Sequence, residues 1–362
     1  MSGDRRLISM LDVHTHFFPR DLPPPSSGAI AEGWPVVVDK GHHVEIYQRD
    51  KLVRILNSSA WDPAVRLEDM DRAGVEAQVV MPTPFTFLYD ADPDIAIHYA
   101  QAQNNALADL VAEGRGRFYG LGTLPLQDPA SAATEARRVR TTLGMQGVEI
   151  GTHAHRYLLH DPELDPVFRT LDDLDAAVFV HPWQPVEPRR SSHNGLAFGL
   201  GRPVETELAV GSLVFGGVLD RHPGLRICLA HGGAGVPALR GRLHNGWQRQ
   251  PAQSRTPTED PRSVVKRFWV DGLTYDPDVL ALAEDTFGPD HLVVGSDYPF
   301  AAQERPIGAA FAAAAAHGSL QLGSGWRDRT TRNAFTFLGT ANATGNAGPL
   351  RQSHITSNGA RK

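Results

Sequence analysis

The sequence contains only one cysteine, Cys228, among 362 residues. A single cysteine excludes an intramolecular disulfide, which is typical of proteins in a reducing compartment. No run of residues reaches the apolar length of a membrane span. The segment MSGDRRLISMLDV has no adequate apolar core for a secretion signal. We therefore expect a cytoplasmic protein with no membrane partner.

The sequence also lacks a block of basic residues. Its 35 lysines and arginines are outnumbered by 41 aspartates and glutamates, which gives a formal net charge of −6. This balance argues against binding to nucleic acid or to an anionic membrane surface. The hydrophobic fraction of 41% is that of an ordinary globular chain, long enough to bury a sizeable core.

Eight short apolar segments rich in β-branched residues alternate with helical segments. They span residues 8–16, 77–82, 118–125, 147–151, 177–182, 226–233, 268–274 and 292–299. Strands that alternate with helices indicate a parallel sheet, and eight such units predict a (β/α)8 TIM-type barrel. The alternative is an open, doubly wound sheet, but no glycine-rich fingerprint follows the first strand.

The expected organisation is one barrel domain over residues 1–344. An insertion at residues 20–60, read as a small antiparallel ribbon, separates the first strand from its helix. Insertions at the catalytic end of a barrel usually cover or complete the site. Residues 345–362 are polar and predicted to be a disordered tail.

The segment DVHTH places His14 and His16 two residues apart at the end of the first predicted strand. Side chains at this spacing project from the same side of a strand. An isolated H-x-H is more often a surface pair, but here His181, His231 and Asp297 close three further predicted strands. Because the carboxyl ends of barrel strands meet at one face, these five side chains should converge on a metal site.

Three imidazoles and one carboxylate suit Zn²⁺ best, with Fe²⁺, Co²⁺ and Mn²⁺ as alternatives, and leave a coordination position for water. Bound Zn²⁺ lowers the pKa of water from about 15.7 to around 7, and a neutral histidine can then accept or steer the proton. His231 is our candidate for that base, and a fourth imidazole ligand is its competing role.

The sequence resembles the amidohydrolase-related superfamily, and within it the branch of 2-amino-3-carboxymuconate-6-semialdehyde decarboxylase. The matching segments are DVHTHFFP, AWDPAVRLEDMD, YGLGTLPLQDP, GVEIGTH, VFVHPW, AHGG with GRLHNGW, and GSDYPF. They extend over residues 9–340. The resemblance implies a zinc-dependent, non-oxidative carboxy-lyase that works as a homodimer. Binuclear members of the superfamily use a lysine on strand 4; GVEIGTHAHR has none, so we predict a single metal ion.

The resemblance also implies roles for individual residues. Arg54 matches an arginine that binds a substrate carboxylate, and Arg242 matches one donated across the dimer interface. His231 matches the histidine that activates water, with Asp297 as a ligand that takes part in catalysis. We add Trp183, Phe198 and Phe300 as candidate substrate contacts. The implied metal ligands are His14, His16, His181 and Asp297.

The segment after HPW departs from the family. Gly195 and Phe198 stand where the family has tryptophans, and Arg189, Arg190 and His193 could meet a substrate of different shape or charge. We therefore expect a small unsaturated or aromatic carboxylate without naming it. A hydroxybenzoate- or methylsalicylate-type decarboxylase, a hydrolase or hydratase using the same hydroxide, and a metal-binding protein without catalysis remain alternatives.

Overall fold

The structure is a computed structural model that describes residues 9–22 and 24–340, so the predicted tail at 345–362 lies outside the described residues. The strands are β1 Leu11–Phe17, β2 Val36–Asp39, β3 Val44–Gln48, β4 Lys51–Leu56, β5 Ala77–Pro82, β6 Phe118–Thr123, β7 Gly147–Gly151, β8 His153–Ala154, β9 Tyr157–Leu158, β10 Ala177–His181, β11 Arg226–Leu229, β12 Trp269–Asp271 and β13 Leu292–Val293. The α-helices are α1 Ser27–Ala31, α2 Pro63–Ala73, α3 Pro93–Glu113, α4 Pro129–Thr141, α5 Asp165–Asp173, α6 Pro188–Ser191, α7 Arg202–Phe215, α8 Val218–Arg221, α9 Val236–Gln248, α10 Pro261–Val264, α11 Pro277–Phe287, α12 Ala309–Ala316 and α13 Trp326–Leu338.

Eight parallel strands form the barrel in the order β1-β5-β6-β7-β10-β11-β12-β13. Parallel bridges from Asp12 to Val294 and from Thr15 to Tyr298 join the last strand region to the first. The predicted (β/α)8 fold is therefore confirmed. The regular pairing of β11 and β13 ends before the predicted strands do, because the chain turns away from the sheet to form the site described below.

Two apolar layers hold the barrel together. One cluster draws residues such as Val79, Phe179 and Cys228 from seven of the strands, and so fills the inside of the barrel. Phe335 and Phe337 of α13 join this cluster and close one end. The larger cluster packs the opposite strand faces, including Val80 and Val178, against the surrounding helices. These closely packed apolar layers make the barrel a rigid support for side chains at its open end.

A bulge in β1 directs the two histidines of DVHTH inward. The pairing of β1 with β5 shifts register between Asp12 and Thr15. Val13 belongs to the inner cluster, and the next side chain, His14, also faces inward, with its ring 4.9 Å from that of Phe179. A bulge inserts an extra residue and re-aims the side chains that follow it. His14 and His16 consequently stand together above the apolar interior.

Helix α2 anchors this bulged strand from outside the barrel. Asp62 caps the helix, and Gly74 ends it in the left-handed conformation. The helix carries Arg66, which is fully buried. Its guanidinium donates to the Thr15 hydroxyl at 3.1 Å and to the backbone carbonyl of His16. This buried cation therefore fixes the backbone of the strand that carries both histidines.

The insertion forms a three-stranded antiparallel sheet, β2-β3-β4. Val44, Ile46 and Leu56 make its buried face, which packs with Phe18 from the end of β1. The prediction of a small antiparallel insertion after the first strand is confirmed, with one strand more than a hairpin. Its last strand brings Arg54 to the open end of the barrel.

Candidate metal centre and active-site cavity

Four donor side chains meet at the carboxyl end of the barrel. The ligand atoms of His14, His16, His181 and Asp297 all lie within 4.8 Å of one another. The two Nε2 atoms of His14 and His16 are 3.1 Å apart, and Asp297 Oδ1 lies 3.1 Å from His16 Nε2. All four side chains are buried. The structure thus brings together the predicted ligand set and forms a buried site for a divalent metal.

The hydrogen bonds of the Nδ1 atoms determine which ring nitrogen of each histidine can bind a metal. His14 Nδ1 donates to Asp271 Oδ2 at 2.6 Å, His16 Nδ1 to the Pro82 carbonyl at 3.0 Å, and His181 Nδ1 to the Pro182 carbonyl at 2.9 Å. A neutral ring that donates from Nδ1 has a bare lone pair on Nε2. Three lone pairs and a carboxylate therefore face one point, and Nε2 of His181 has no hydrogen-bond partner in the described part of the chain. This donor set fits a metal cation.

Two of the functional residues stand on left-handed backbone. His231 has φ of +58° and Asp297 has φ of +63°. Residues other than glycine rarely adopt this conformation, which is held only where the surroundings impose it. The backbone amide of Asp297 donates to the His14 carbonyl at 2.9 Å, which ties the turn to β1. Both residues follow short strands and turn into the cavity.

His231 lies beside the ligands rather than among them. Its ring centroid is 5.3 Å from those of His14 and His181. Its Nδ1 is buried and makes no hydrogen bond to any residue that the structure describes. Burial lowers the pKa of His231 to about 4. The ring is therefore neutral near pH 7 and has a nitrogen available for a proton.

Two buried carboxyl groups at this site were not given a role from the sequence. Asp271 accepts the His14 hydrogen bond and also the backbone amides of Gly232, at 2.9 Å, and Leu273, at 3.1 Å. Glu149 on β7 lies 3.9 Å from His16 Nδ1. Burial, followed by the charge of Asp297, raises the pKa of Glu149 well above its usual range. Asp271 thus orients a ligand and the loop of His231, while Glu149 is a neutral acid.

Asp271→Asn should weaken metal binding about 10- to 100-fold, because loss of a carboxylate behind a ligating histidine typically has this effect. The asparagine amide can donate a hydrogen bond to His14 as well as accept one. The substituted side chain therefore no longer determines which ring nitrogen of His14 carries the proton. Metal affinity is measured by competition with a chromophoric chelator. Asp285→Asn, an exposed carboxylate on α11, is the control. Unchanged affinity in Asp271→Asn would contradict the orienting role.

A cavity of about 970 Å³ opens over the donor cluster and is lined by each of its members except His14. Its floor includes His16, His181, Asp297 and His231, and its walls come from the insertion, from residues 198–203 and from residues 273–305. Asp297 is the only carboxylate among the lining residues that the structure describes. Burial alone would raise the pKa of Asp297, but its interactions with His16, His14 and His231 together lower that pKa to about 2. Asp297 is therefore an anionic ligand.

The predicted substrate contacts divide into two groups. Arg54, Phe198 and Phe300 line the cavity, and the Phe300 ring centroid is 5.1 Å from that of His16. Trp183 is not among the lining residues; its ring packs against those of Tyr89 and His153, with centroids 5.0 and 5.2 Å away. Arg242 is exposed on α9, outside this cavity. The contacts assigned to Trp183 and Arg242 stay predictions.

The positive side chains of the cavity wall differ from those that the sequence suggested. Arg189, Arg190 and His193 are exposed and do not line the cavity. Arg202 and Arg305 line it instead, and neither was identified from the sequence. Arg202 opens α7, directly after the π-helical turn Ala197–Gly201 that carries Phe198. The position of Arg202 in the cavity depends on the conformation of this turn, which no local sequence pattern predicts.

The ligand set and its barrel agree with a match of residues 11–330 to the amidohydrolase family model. The chain belongs to the amidohydrolase family. This amidohydrolase is similar to 2-amino-3-carboxymuconate-6-semialdehyde decarboxylase of Dictyostelium discoideum. The two are 37% identical over 295 residues, which cover 80% of this chain and 81% of that one. The predicted resemblance to this branch is therefore confirmed.

Other relatives of this amidohydrolase are also decarboxylases. A γ-resorcylate decarboxylase of Rhodococcus jostii is 32% identical over 225 residues, 58% of this chain and 66% of that protein. The crystal structure of 5-carboxyvanillate decarboxylase from Sphingomonas paucimobilis superposes with a TM-score of 0.67 at 27% identity, covering 76% of this chain and 82% of that one. These similarities confirm the prediction of a carbon–carbon lyase of this superfamily.

The described helices give no sign of a membrane segment. None of those within residues 9–22 and 24–340 combines the length and apolar character needed to cross a bilayer.

Proposed function

We propose that this amidohydrolase removes carbon dioxide, without oxidation, from a small unsaturated or aromatic carboxylate, using one Zn²⁺ ion per subunit. The observation that carries the proposal is the convergence of three bare imidazole nitrogens and one carboxylate at the floor of a cavity, next to the unpaired Nδ1 of His231. A structural zinc site would be closed by its protein ligands and would need no extra base. Mn²⁺, Fe²⁺ and Co²⁺ suit the same donors.

A divalent cation held by His14, His16, His181 and Asp297 would act as a Lewis acid toward a substrate oxygen and a water molecule. The residues of the chain supply the remaining chemistry. His231 holds and moves the proton that makes the carbon bearing the carboxylate tetrahedral. Carbon dioxide can leave from that carbon because the electron pair of the broken C–C bond restores the conjugated system, so that one proton replaces one carboxylate.

The cavity walls position the acid for this step. Arg54 presents a guanidinium fork that matches the geometry of a carboxylate. The Phe300 ring packs against that of His16, and Phe198 also lines the cavity. These rings exclude water from the reacting carbon and provide an apolar surface for an unsaturated substrate.

The test measures carbon dioxide from the zinc-loaded protein with aminocarboxymuconate semialdehyde, 5-carboxyvanillate and γ-resorcylate. We expect release from at least one of them, with no oxidant consumed and no net gain of water in the product. A product that gains water without releasing carbon dioxide would instead identify a hydrolase or hydratase. Failure of every acid, with metal bound, would contradict the proposal.

We also propose that the active form is a cytoplasmic homodimer in which Arg242 enters the partner's cavity. Arg242 is exposed and forms no ion pair with a described residue. Large apolar side chains are exposed on the surface segment of residues 196–208: Leu196, Phe198, Leu200 and Leu208. Patches of this kind usually mark an interface. The single cysteine supports the proposed cytoplasmic location, because it leaves no intramolecular disulfide to form.

The dimer proposal predicts complementation between two inactive variants. Arg242→Ala and His231→Ala should each lose most activity, whereas mixed dimers should regain part of it, because one of their two sites contains both native residues. Turnover is measured after the two variants are unfolded, mixed and refolded, with each variant refolded alone as the control. A monomer in light scattering, or no recovery in verified mixed dimers, would exclude the shared site.

A further inference from the structure

Arg202 is a cation without a counterion in the described structure. It is half-buried and lines the cavity together with Arg54. Neither guanidinium forms an ion pair with any residue of 9–22 and 24–340, whereas Arg138 pairs with Glu135 and Arg240 pairs with Asp285. An unpaired, partly desolvated guanidinium in a cavity is unfavourable unless an anion binds there.

The local structure of α7 does not account for Arg202 either. The residue is the first of this 14-residue helix, where the helix dipole favours negative charge over positive charge. The acid in the same turn, Glu205, is already paired: its Oε2 lies 3.1 Å from His153 Nδ1. A cation that neither its helix nor its neighbours stabilise is best explained by a ligand.

The two arginines are close enough to influence each other. Burial and the positive charge of Arg54 lower the pKa of Arg202, and the carboxylate of Asp297 opposes this effect. Asp297 is assigned to the metal, so its charge is not free to balance either guanidinium. With a divalent cation bound, the single negative charge at the floor would face that cation and two arginines, and Arg305 also lines the cavity. This cavity calls for a ligand with more than one negative charge.

We propose that Arg202 forms, with Arg54, a subsite for a second carboxylate, so that the enzyme selects acids with two carboxylates over acids with one. The inference rests on the proposed function: one carboxylate lies at the metal site and leaves as carbon dioxide, and the other stays on the product. The balance is R–COO⁻ plus H⁺ giving R–H plus CO₂: the proton adds to the carbon, and the electron pair of the cleaved C–C bond restores the conjugated system. Binding of the retained carboxylate by the two arginines positions the departing carboxylate next to His231.

The kinetic test compares Arg202→Gln with the wild type. Aminocarboxymuconate semialdehyde and 5-carboxyvanillate carry two carboxylates, and γ-resorcylate carries one. For the first two acids kcat/KM should fall roughly 30- to 100-fold, mainly through KM, because a charge-assisted pair is lost. For γ-resorcylate it should change less than about threefold. Arg202→Lys should lose less than Arg202→Gln, because it keeps the charge and loses only the fork.

Arg137→Gln, an exposed arginine on α4 outside the cavity, is the matched control and should leave every value unchanged. Equal losses for acids with one and two carboxylates, or no loss for either, would overturn the selective subsite. A wild-type preference for γ-resorcylate over both diacids would overturn it as well. In each of these cases carbon dioxide release still supports decarboxylation.

A binding measurement separates the subsite from the reaction. Calorimetric titration of the zinc-loaded protein with isophthalate and with benzoate should give affinities at least about tenfold apart in the wild type, since one more charged pair forms with isophthalate. Arg202→Gln should remove that advantage, while Arg137→Gln should keep it. Loss of the advantage without turnover of any acid would leave the subsite standing and reject the decarboxylase. Equal affinities in the wild type would reject the subsite.

Discussion

His181→Ala should lose its bound metal and, with it, more than about a thousandfold of carbon dioxide release. Removal of His181 leaves three of the four donors that lie within 4.8 Å of one another. Each remaining ligand keeps its outer hydrogen bond, so the variant tests the missing donor rather than a collapse of the site. Metal content is measured by mass spectrometry after dialysis, and turnover in excess Zn²⁺.

Thermal unfolding distinguishes metal loss from misfolding. A ligand at 100 times its Kd stabilises the folded state by about 2.7 kcal/mol. Zn²⁺ should therefore raise the Tm of the wild type and have no such effect on His181→Ala, while the metal-free forms unfold within a few degrees of each other. His317→Ala, an exposed histidine after α12, should behave like the wild type. Full metal content and turnover in His181→Ala would exclude the predicted ligand set.

Much of the barrel could be predicted because its strands are buried on both faces. Segments such as AQVVMP and AVFVH are mostly apolar, and a helix between strands carries the capping signals Asp62 and Gly74. Parallel strands then place all their carboxyl ends at one face. The convergence of His14, His181 and Asp297 follows from that rule alone.

What the sequence did not reveal depends on departures from regular structure. Alternation cannot place both Val13 and His14 inside the barrel; the bulge in β1 does so. The left-handed turns at His231 and Asp297 end their strands earlier than the apolar runs suggest. Asp271 had a usable signal, since FWVDGLT ends a predicted strand with a carboxylate in the way GSDYP does. No sequence signal identified Arg202 as a cavity residue, because its position depends on the fold of residues 184–203.

His231→Ala should keep its metal and lose turnover by about 100- to 10,000-fold, the range for removal of a general acid–base group. The reason is geometric. His231 lies beside the donor cluster, with its ring 5.3 Å from the rings of two ligands and its Nδ1 unpaired within the described residues. The loss should be mainly in kcat, because the ring acts on the reacting proton rather than on the binding of the acid.

Rescue by imidazole separates a proton-transfer role from a structural one. Truncation at position 231 opens space next to the cavity floor, so added imidazole should restore part of kcat in proportion to its concentration, with no change in metal content. His160→Ala, a half-buried histidine bonded to Ser212 outside the cavity, should need no rescue. If His231→Ala instead loses zinc as His181→Ala does, His231 is a fourth imidazole ligand. Undiminished turnover in His231→Ala would exclude a role for His231 in proton transfer.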